Sequence, residues 1–230
     1  MTLNMSNNGI HIIPANTINP FSGLKKKKLE LETSNFKYFK DVVDGFWYAP
    51  VVNEFRSKNL IANNELFYPD KDITRGEVAG FIHNFLQHKN FSSKLNYNFV
   101  FKDVLKDAWY AQAINTVASN GIMSGNKDYF APNKFLTRAE LSIVLYKTLI
   151  LLLSENIKGL LPEVKEEPFL DVNTKDWFYK EVCILTELSI LIGYKEQTGH
   201  YFRPEKSLTR AEFIVSLDKI ENYLQEFNVK

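Results

Sequence analysis

K-F-L-T-R-A-E-L-S (residues 134–142) and K-S-L-T-R-A-E-F-I (residues 206–214) write L-T-R-A-E twice, seventy-two residues apart, and D-I-T-R-G-E-V-A (residues 72–79) is a looser third copy. The recurrence extends upstream of each copy. Three units open on an Asp-Val pair: Phe39-Lys40-Asp41-Val42, Phe101-Lys102-Asp103-Val104 and Phe169-Leu170-Asp171-Val172. Six residues after each aspartate stands a tryptophan, Trp47, Trp109 and Trp177, which uses all three tryptophans in the chain. Each unit then carries Phe-x-Pro, at Phe67 to Pro69, Phe130 to Pro132 and Phe202 to Pro204, and six residues past each proline comes an arginine, Arg75, Arg138 and Arg210. Fixed spacing at both ends with a middle of variable length describes two rigid elements joined by a tolerant loop, repeated three times.

From each tryptophan onward apolar residues recur at helical intervals, as in Trp109, Ala113, Ile114, Val117 and Ala118. This first helix is expected to leave through a left-handed residue, Gly121 in the second unit, Asn59 in the first and Ser189 in the third, with Gly125, Asn63 and Gly193 turning the chain a few residues on. A second amphipathic helix follows the arginine, marked by Val78, Phe81, Ile82 and Phe85, by Leu141, Val144, Leu145 and Leu149, and by Phe213, Leu217 and Ile220. Thr74 with Glu77, Thr137 with Glu140, and Thr209 with Glu212 have capping-box spacing and start that helix. A pair of short helices cannot bury its own apolar face, so the units must pack on one another. The expected fold class is all-α. The expected division is a disordered tail over 1–35, units over 36–90, 98–153 and 168–228, and a linker over 154–167.

With 28 Lys plus Arg against 27 Asp plus Glu, the net charge of +1 gives no general electrostatic grip on nucleic acid or anionic lipid. Any charged ligand must be met locally. The single cysteine, Cys183, excludes an internal disulfide framework and a cysteine-based zinc site and reads as a small buried thiol. The apolar run at 149–153 is too short for the roughly 20 residues a bilayer demands and reads as part of a buried helix. No secretion signal is visible in residues 1–24, and Lys25 to Lys28 read as a solvated basic run. The histidines His11, His83, His88 and His200 show no metal-ligand pairing, and neither a nucleophile motif nor a phosphate loop is present, so no enzyme activity and no cofactor or metal is expected.

The arginine is the residue of the motif that helix formation does not explain. A cation at the first helical position faces the positive end of the helix dipole, which costs roughly 0.3 to 1 kcal/mol. Local physics leaves two compensations open. One is a permanent partner carboxylate, such as the motif aspartate of the same or the next unit. The other is an anion pocket in which helix N-terminal N–H groups and the guanidinium together hold a carboxylate or phosphate. The tryptophans are likewise core residues or platforms for sugar rings, enlarged by Tyr48, Tyr110 and Phe178.

Phe-x-Asp-Val, tryptophan six later, Gly-Ile-x-x-Gly, Phe-x-Pro and Ile/Leu-Thr-Arg-Ala-Glu together resemble the S-layer homology domain, as a tandem triplet over roughly residues 36–228. The resemblance implies a monomer with a pseudo-threefold, three-pronged arrangement around a central helical bundle, leaving grooves between units. It also implies binding of bacterial secondary cell-wall polysaccharide, typically a pyruvylated amino sugar, by a non-catalytic anchor at the cell surface. Carried over by residue, Arg138 and Arg210, then Arg75, meet the ketal carboxylate. Trp109 and Trp177, with Trp47, support the sugar, Gly125 and Gly193 let the backbone approach it, and Asp41, Asp103 and Asp171 belong to the same set. The first unit has Gly76 for the motif alanine and Asn59 and Asn63 for both glycines, so its site is expected to work least well. Two other readings compete: a helical module for protein interaction or self-assembly, and a phage-borne protein recognising a host envelope.

Overall fold

A computed structural model describes residues 39–62, 64–92, 100–153, 161–164 and 168–226. The expected tail, residues 154–160 and 165–167 of the expected linker, and Asn63 lie outside the described residues. Six helices are described: α1 (Ala49–Ser57), α2 (Arg75–His88), α3 (Ala111–Ser119), α4 (Arg138–Leu152), α5 (Tyr179–Glu187) and α6 (Arg210–Glu226). One two-stranded antiparallel sheet joins them, β1 (Tyr194–Glu196) and β2 (Gly199–Tyr201), with Tyr194 opposite Tyr201. The protein is therefore largely helical, and the hairpin is an addition that the all-α expectation did not contain.

The second helix of each unit begins at its arginine, as the capping signature predicts. Thr74 Oγ1 accepts from Glu77 N at 3.3 Å while Glu77 Oε2 accepts from Thr74 N at 2.9 Å. Thr137 with Glu140 (3.3 and 3.2 Å) and Thr209 with Glu212 (3.2 and 2.8 Å) repeat the exchange. The first helices start at Ala49, Ala111 and Tyr179, two residues later than the periodicity from each tryptophan predicts. The tryptophan occupies the turn before the helix, and the aromatic residue after it, Tyr48, Tyr110 or Phe178, takes the N-cap position. The left-handed exits are where the sequence puts them, with φ of 58° at Asn59, 69° at Gly121 and 57° at Ser189.

Packing links the units in order. The first helix of one unit lies on the second helix of the unit before it, α3 on α2 and α5 on α4, and α1 of the first unit lies on α6 of the third. Helices α4 and α6 also touch. The residue before each capping threonine sits where the units meet: Ile73, Leu136 and Leu208 are fully buried. Their backbones hydrogen-bond in a closed cycle, Ile73 N to Leu208 O (3.0 Å), Leu208 N to Leu136 O (3.4 Å) and Leu136 N to Ile73 O (3.0 Å). Around them the apolar faces of the helices, including Ile82, Phe85, Leu145, Leu149, Phe213 and Ile220, form one core. The thiol of Cys183 is buried, as expected.

Candidate functional site

The motif aspartates hold the Phe-x-Pro loops. Asp41 accepts from the N–H groups of Phe67 and Tyr68 at 2.8 and 2.6 Å, Asp103 from Phe130 and Ala131 at 2.9 and 2.7 Å, and Asp171 from Phe202 and Arg203 at 2.7 Å each. The middle residue of each loop, Tyr68, Ala131 or Arg203, is left-handed at φ 58–59° without being glycine. Such a conformation costs roughly 1 to 2 kcal/mol, which two charge-assisted hydrogen bonds to one carboxylate offset. The motif arginines direct their hydrogen bonds to other groups, but the aspartate of the next unit acts on each through its charge, Asp103 on Arg75, Asp171 on Arg138 and Asp41 on Arg210.

Each arginine instead reaches into the next unit and bonds backbone carbonyls. Arg75 donates from Nε to Phe130 O (2.9 Å) and from Nη2 to Ser124 O (2.8 Å). Arg138 donates from Nε to Phe202 O (2.7 Å) and from Nη2 to Ile192 O (2.8 Å). Arg210 closes the order, donating from Nε to Phe67 O (2.7 Å) and from Nη1 to Glu77 Oε1 (2.7 Å). Each guanidinium also lies over the phenylalanine ring of that loop, 4.6–4.9 Å from its centroid at Phe130, Phe202 and Phe67. Carbonyl dipoles compensate the cation at the helix start, with nearby carboxylates adding charge, and Arg210 also hydrogen-bonds one of them, the capping Glu77.

The backbone half of the expected anion pocket is corrected by the same contacts. The first two N–H groups of α2 bond Lys134 O and Pro132 O (2.9 and 2.8 Å), those of α4 bond Lys206 O and Pro204 O (3.0 and 2.9 Å), and those of α6 bond Lys71 O and Pro69 O (2.9 and 3.0 Å). With the third N–H held by threonine, the helix starts have spent their free donors on the neighbouring unit. The first two backbone donors of each helix start are thus not free for an anion.

The three arginines differ in their surroundings. Arg138 is 2% exposed, and burial pulls its pKa below the ordinary arginine value. Arg75 and Arg210 are half-buried, and burial lowers theirs as well, partly opposed by Glu140 and Asp103 for Arg75 and by Glu77 for Arg210. Arg75 lines a cavity of about 640 Å³ together with Ser124, Gly125, Asn126, Tyr129 and Phe130 of the second unit, Ile143 and Lys147 on α4, and Trp177 of the third unit. Lys127 and Lys134 also line it, so four cationic side chains stand against the single carboxylate of Glu140.

Trp109 and Trp177 are 69% and 62% exposed, each edge-on to the aromatic residue that follows it. Trp47 is half-buried and packs on the core. Trp109 lies against Gly80, where an added Cβ would come within 3.3 Å of its ring, one turn along α2 from the Glu77 that pairs with Arg210. Glycine at 125 and 193 is required by the fold itself: a Cβ would stand 2.5 Å from the Phe101 ring and 2.5 Å from Tyr129 O at Gly125, and 2.1 Å from the Phe169 ring and 2.6 Å from Tyr201 O at Gly193.

Sequence reasoning missed three sets of contributors. Lys71, Lys134 and Lys206 precede each arginine by four residues and pair with the capping glutamates at 3.6, 2.9 and 3.9 Å. That recurrence was visible in K-x-x-x-R. Lys147, in the cavity, carries no motif signal. Tyr194, in the hairpin, follows Gly193 as Asn126 follows Gly125, and only the longer spacing from Gly193 to Phe202 marked it.

A model of the S-layer homology domain matches residues 38–79, 100–142 and 168–214. The chain is 33% identical over 159 residues to a cellulosome-anchoring protein of Acetivibrio thermocellus, covering 67% of this chain and 33% of that protein. It is 29% identical over 188 residues to the S-layer protein sap of Bacillus anthracis, covering 80% and 21%. To the surface-layer 125 kDa protein of Lysinibacillus sphaericus it is 33% identical over 188 residues, covering 80% and 14%. The chain thus spans a third or less of the length of these relatives, which are S-layer and anchoring proteins. No described helix is long and apolar enough to cross a membrane. Three matched units that together take up more than half of the chain place it in a family: the chain belongs to the S-layer homology domain family.

Proposed function

We propose that the chain is a non-catalytic module that anchors its protein at the bacterial cell surface by binding secondary cell-wall polysaccharide, a pyruvylated amino sugar, in a groove between units. The observation that carries this reading is the cavity that gathers Arg75, Gly125 and Trp177 from three different units. An acidic sugar needs a cation for its carboxylate and a flat apolar surface for its ring, and the groove offers both. Its excess of lysine and arginine over carboxylate favours a negative ligand although the whole chain is nearly neutral. The cyclic order of arginine, backbone and helix contacts supports a monomer with a pseudo-threefold, three-pronged arrangement, which is what creates grooves between neighbours.

The sequence ranking of the arginines is revised in this proposal. Arg75 takes first place because it opens on the cavity, while Arg138 is enclosed. One charge-assisted contact contributes about 1.5 to 3 kcal/mol, so a single groove gives modest affinity for each sugar unit. The test is sedimentation of the purified protein with cell-wall sacculi. Binding is expected to disappear when the polysaccharide is chemically stripped from the peptidoglycan. Binding unchanged by stripping would sink the polysaccharide reading and favour a protein-interaction module.

A further inference from the structure

In the groove of Arg138 the place of an incoming ring is already taken. The Tyr194 ring centroid lies 4.9 Å from the Arg138 guanidinium carbon and that of Phe202 4.6 Å, so two aromatic rings crowd a cation that is 2% exposed. Two further cations hold the tyrosine there. Arg203 lies 4.8 Å and Lys206 Nζ 4.9 Å from its centroid, and Lys206 Nζ donates to Tyr194 Oη at 3.1 Å. The hairpin is itself braced, by the β1–β2 ladder and by Glu196, which accepts from Arg203 Nε and Nη2 at 3.0 and 2.7 Å.

The groove of Arg75 is built on the same frame without that ring. Asn126 directly follows Gly125, and its backbone pairs with Tyr129 in a tight turn. Phe130 lies 4.7 Å from the Arg75 guanidinium, and both side chains line the cavity. Between Gly193 and Phe202 the third unit has four more residues than the second has between Gly125 and Phe130, and those residues make the hairpin.

We infer that Tyr194 is a built-in plug that occupies the ligand position of the Arg138 groove, so that the chain engages an acidic sugar through the Arg75 groove and keeps its neighbour shut. The inference rests on the proposed polysaccharide function for the identity of the ligand. The closed state of the groove is independent of it.

Two measurements separate the parts. Phenylglyoxal, which modifies accessible guanidinium groups, is applied to the whole folded chain and the modified arginines are mapped by mass spectrometry. In the native chain Arg138 is expected to react at least about tenfold more slowly than Arg75, because reaction awaits local opening. Tyr194→Asn removes that protection, and Tyr194→Phe, which keeps the ring, retains it. Equal reactivity of the two arginines in the native chain, or protection that survives Tyr194→Asn in a variant with native circular dichroism, overturns the plug.

The second measurement is calorimetric titration with the pyruvate ketal of an N-acetylhexosamine methyl glycoside. One site is expected in the native chain, abolished by Arg75→Ala, and a second site in Tyr194→Asn that survives in the Tyr194→Asn/Arg75→Ala double variant. A native site that survives Arg75→Ala while Arg138 stays protected overturns the assignment of the Arg75 groove. No heat with any variant, alongside deprotection of Arg138 in Tyr194→Asn, overturns the ligand reading and upholds the plug.

Discussion

Arg75 and Arg138 stand at the same position of the same helix start. Each gives Nε to a phenylalanine carbonyl and Nη2 to a second carbonyl of the next unit. Yet Arg75 faces a cavity of about 640 Å³ and Arg138 is 2% exposed. The motif fixes what the arginine does for the fold, which is to clip one unit to the next. What it does beyond the fold is set by the residue after the turn glycine, Asn126 in one groove and Tyr194 in the other. Arg210 shows a third outcome, a guanidinium satisfied by the capping Glu77 of the first unit. Threefold repetition therefore supplies three clips that share one bond, from Nε to the phenylalanine carbonyl, and three unequal surfaces.

The most severe way to break this comparison is to remove the two arginines in turn. Arg138→Ala empties space in the core and strands the buried carbonyl of Phe202 and the part-buried one of Ile192, and is expected to cost about 3 to 4 kcal/mol in urea unfolding. Arg75→Ala loses the same hydrogen bonds at a wetter site where water can replace the donors, for about 1 to 2 kcal/mol, and abolishes sedimentation with sacculi while the chain remains folded. Equal losses of stability from the two substitutions would mean that the grooves are energetically alike, against the difference in burial.

A second contrast lies one position further round the helices, eight residues after each arginine, where the units face one another with different chemistry. His83 on α2 bonds Thr116 of α3 through Nδ1 (2.9 Å), Tyr146 on α4 meets Lys180 on α5, and Asp218 on α6 is buried at the α1 seam. Asp218 accepts from Asn222 at 2.9 Å and faces Glu54 of α1 and Lys58 at its C-cap, with Lys219, Glu221 and Lys89 close by, the last two paired at 2.6 Å. Burial first, and Glu54 second, push its carboxyl up to about 6, while burial lowers His83.

The signs are opposite for stability. A raised carboxyl pKa means the folded state holds the proton more tightly. The contribution from Asp218 is then complete below about pH 4 and is lost as pH rises towards 6. A depressed histidine pKa means that stability falls as pH drops below about 6.5. Asp218→Asn is expected to stabilise the protein by about 2 kcal/mol at pH 7 and by little at pH 4. A gain independent of pH, in urea unfolding at the two values, would show that the seam does not titrate.

Much of the fold was legible because its rules are local. A threonine three residues before a glutamate fixes a helix start, and Asn59, Gly121 and Ser189 mark left-handed exits whatever the rest of the chain does. The site was only partly legible because its contacts are not local: the carbonyls that hold Arg75, Arg138 and Arg210 through Nε lie 55, 64 and 143 residues away. Spacing could nominate the arginines but could not say that Arg138 is enclosed or that the helix N–H groups are already bonded. The first unit, expected to be the weakest from Gly76 and its asparagines, contributes Arg75 to a groove whose walls belong to the second and third units. A groove is a property of neighbours, so the residues of one unit do not spell it out.

The gentlest test for the fold and the sharpest for the grooves uses the exposed tryptophans. Trp177 lines the Arg75 cavity, whereas Trp109 lies across Gly80 beside the groove of Arg210 and Glu77. Both rings are largely solvent-exposed, so Trp177→Ala and Trp109→Ala are each expected to change stability by less than about 0.5 kcal/mol. Their effects on sedimentation with sacculi should part company. Stacking on an indole contributes about 1 to 1.5 kcal/mol, so Trp177→Ala should weaken wall binding about five- to tenfold, and Trp109→Ala should stay within about twofold. If the two substitutions weaken binding equally, the groove holding an arginine–glutamate pair is as competent as the open one, and Glu77 would have to yield its arginine to the ligand.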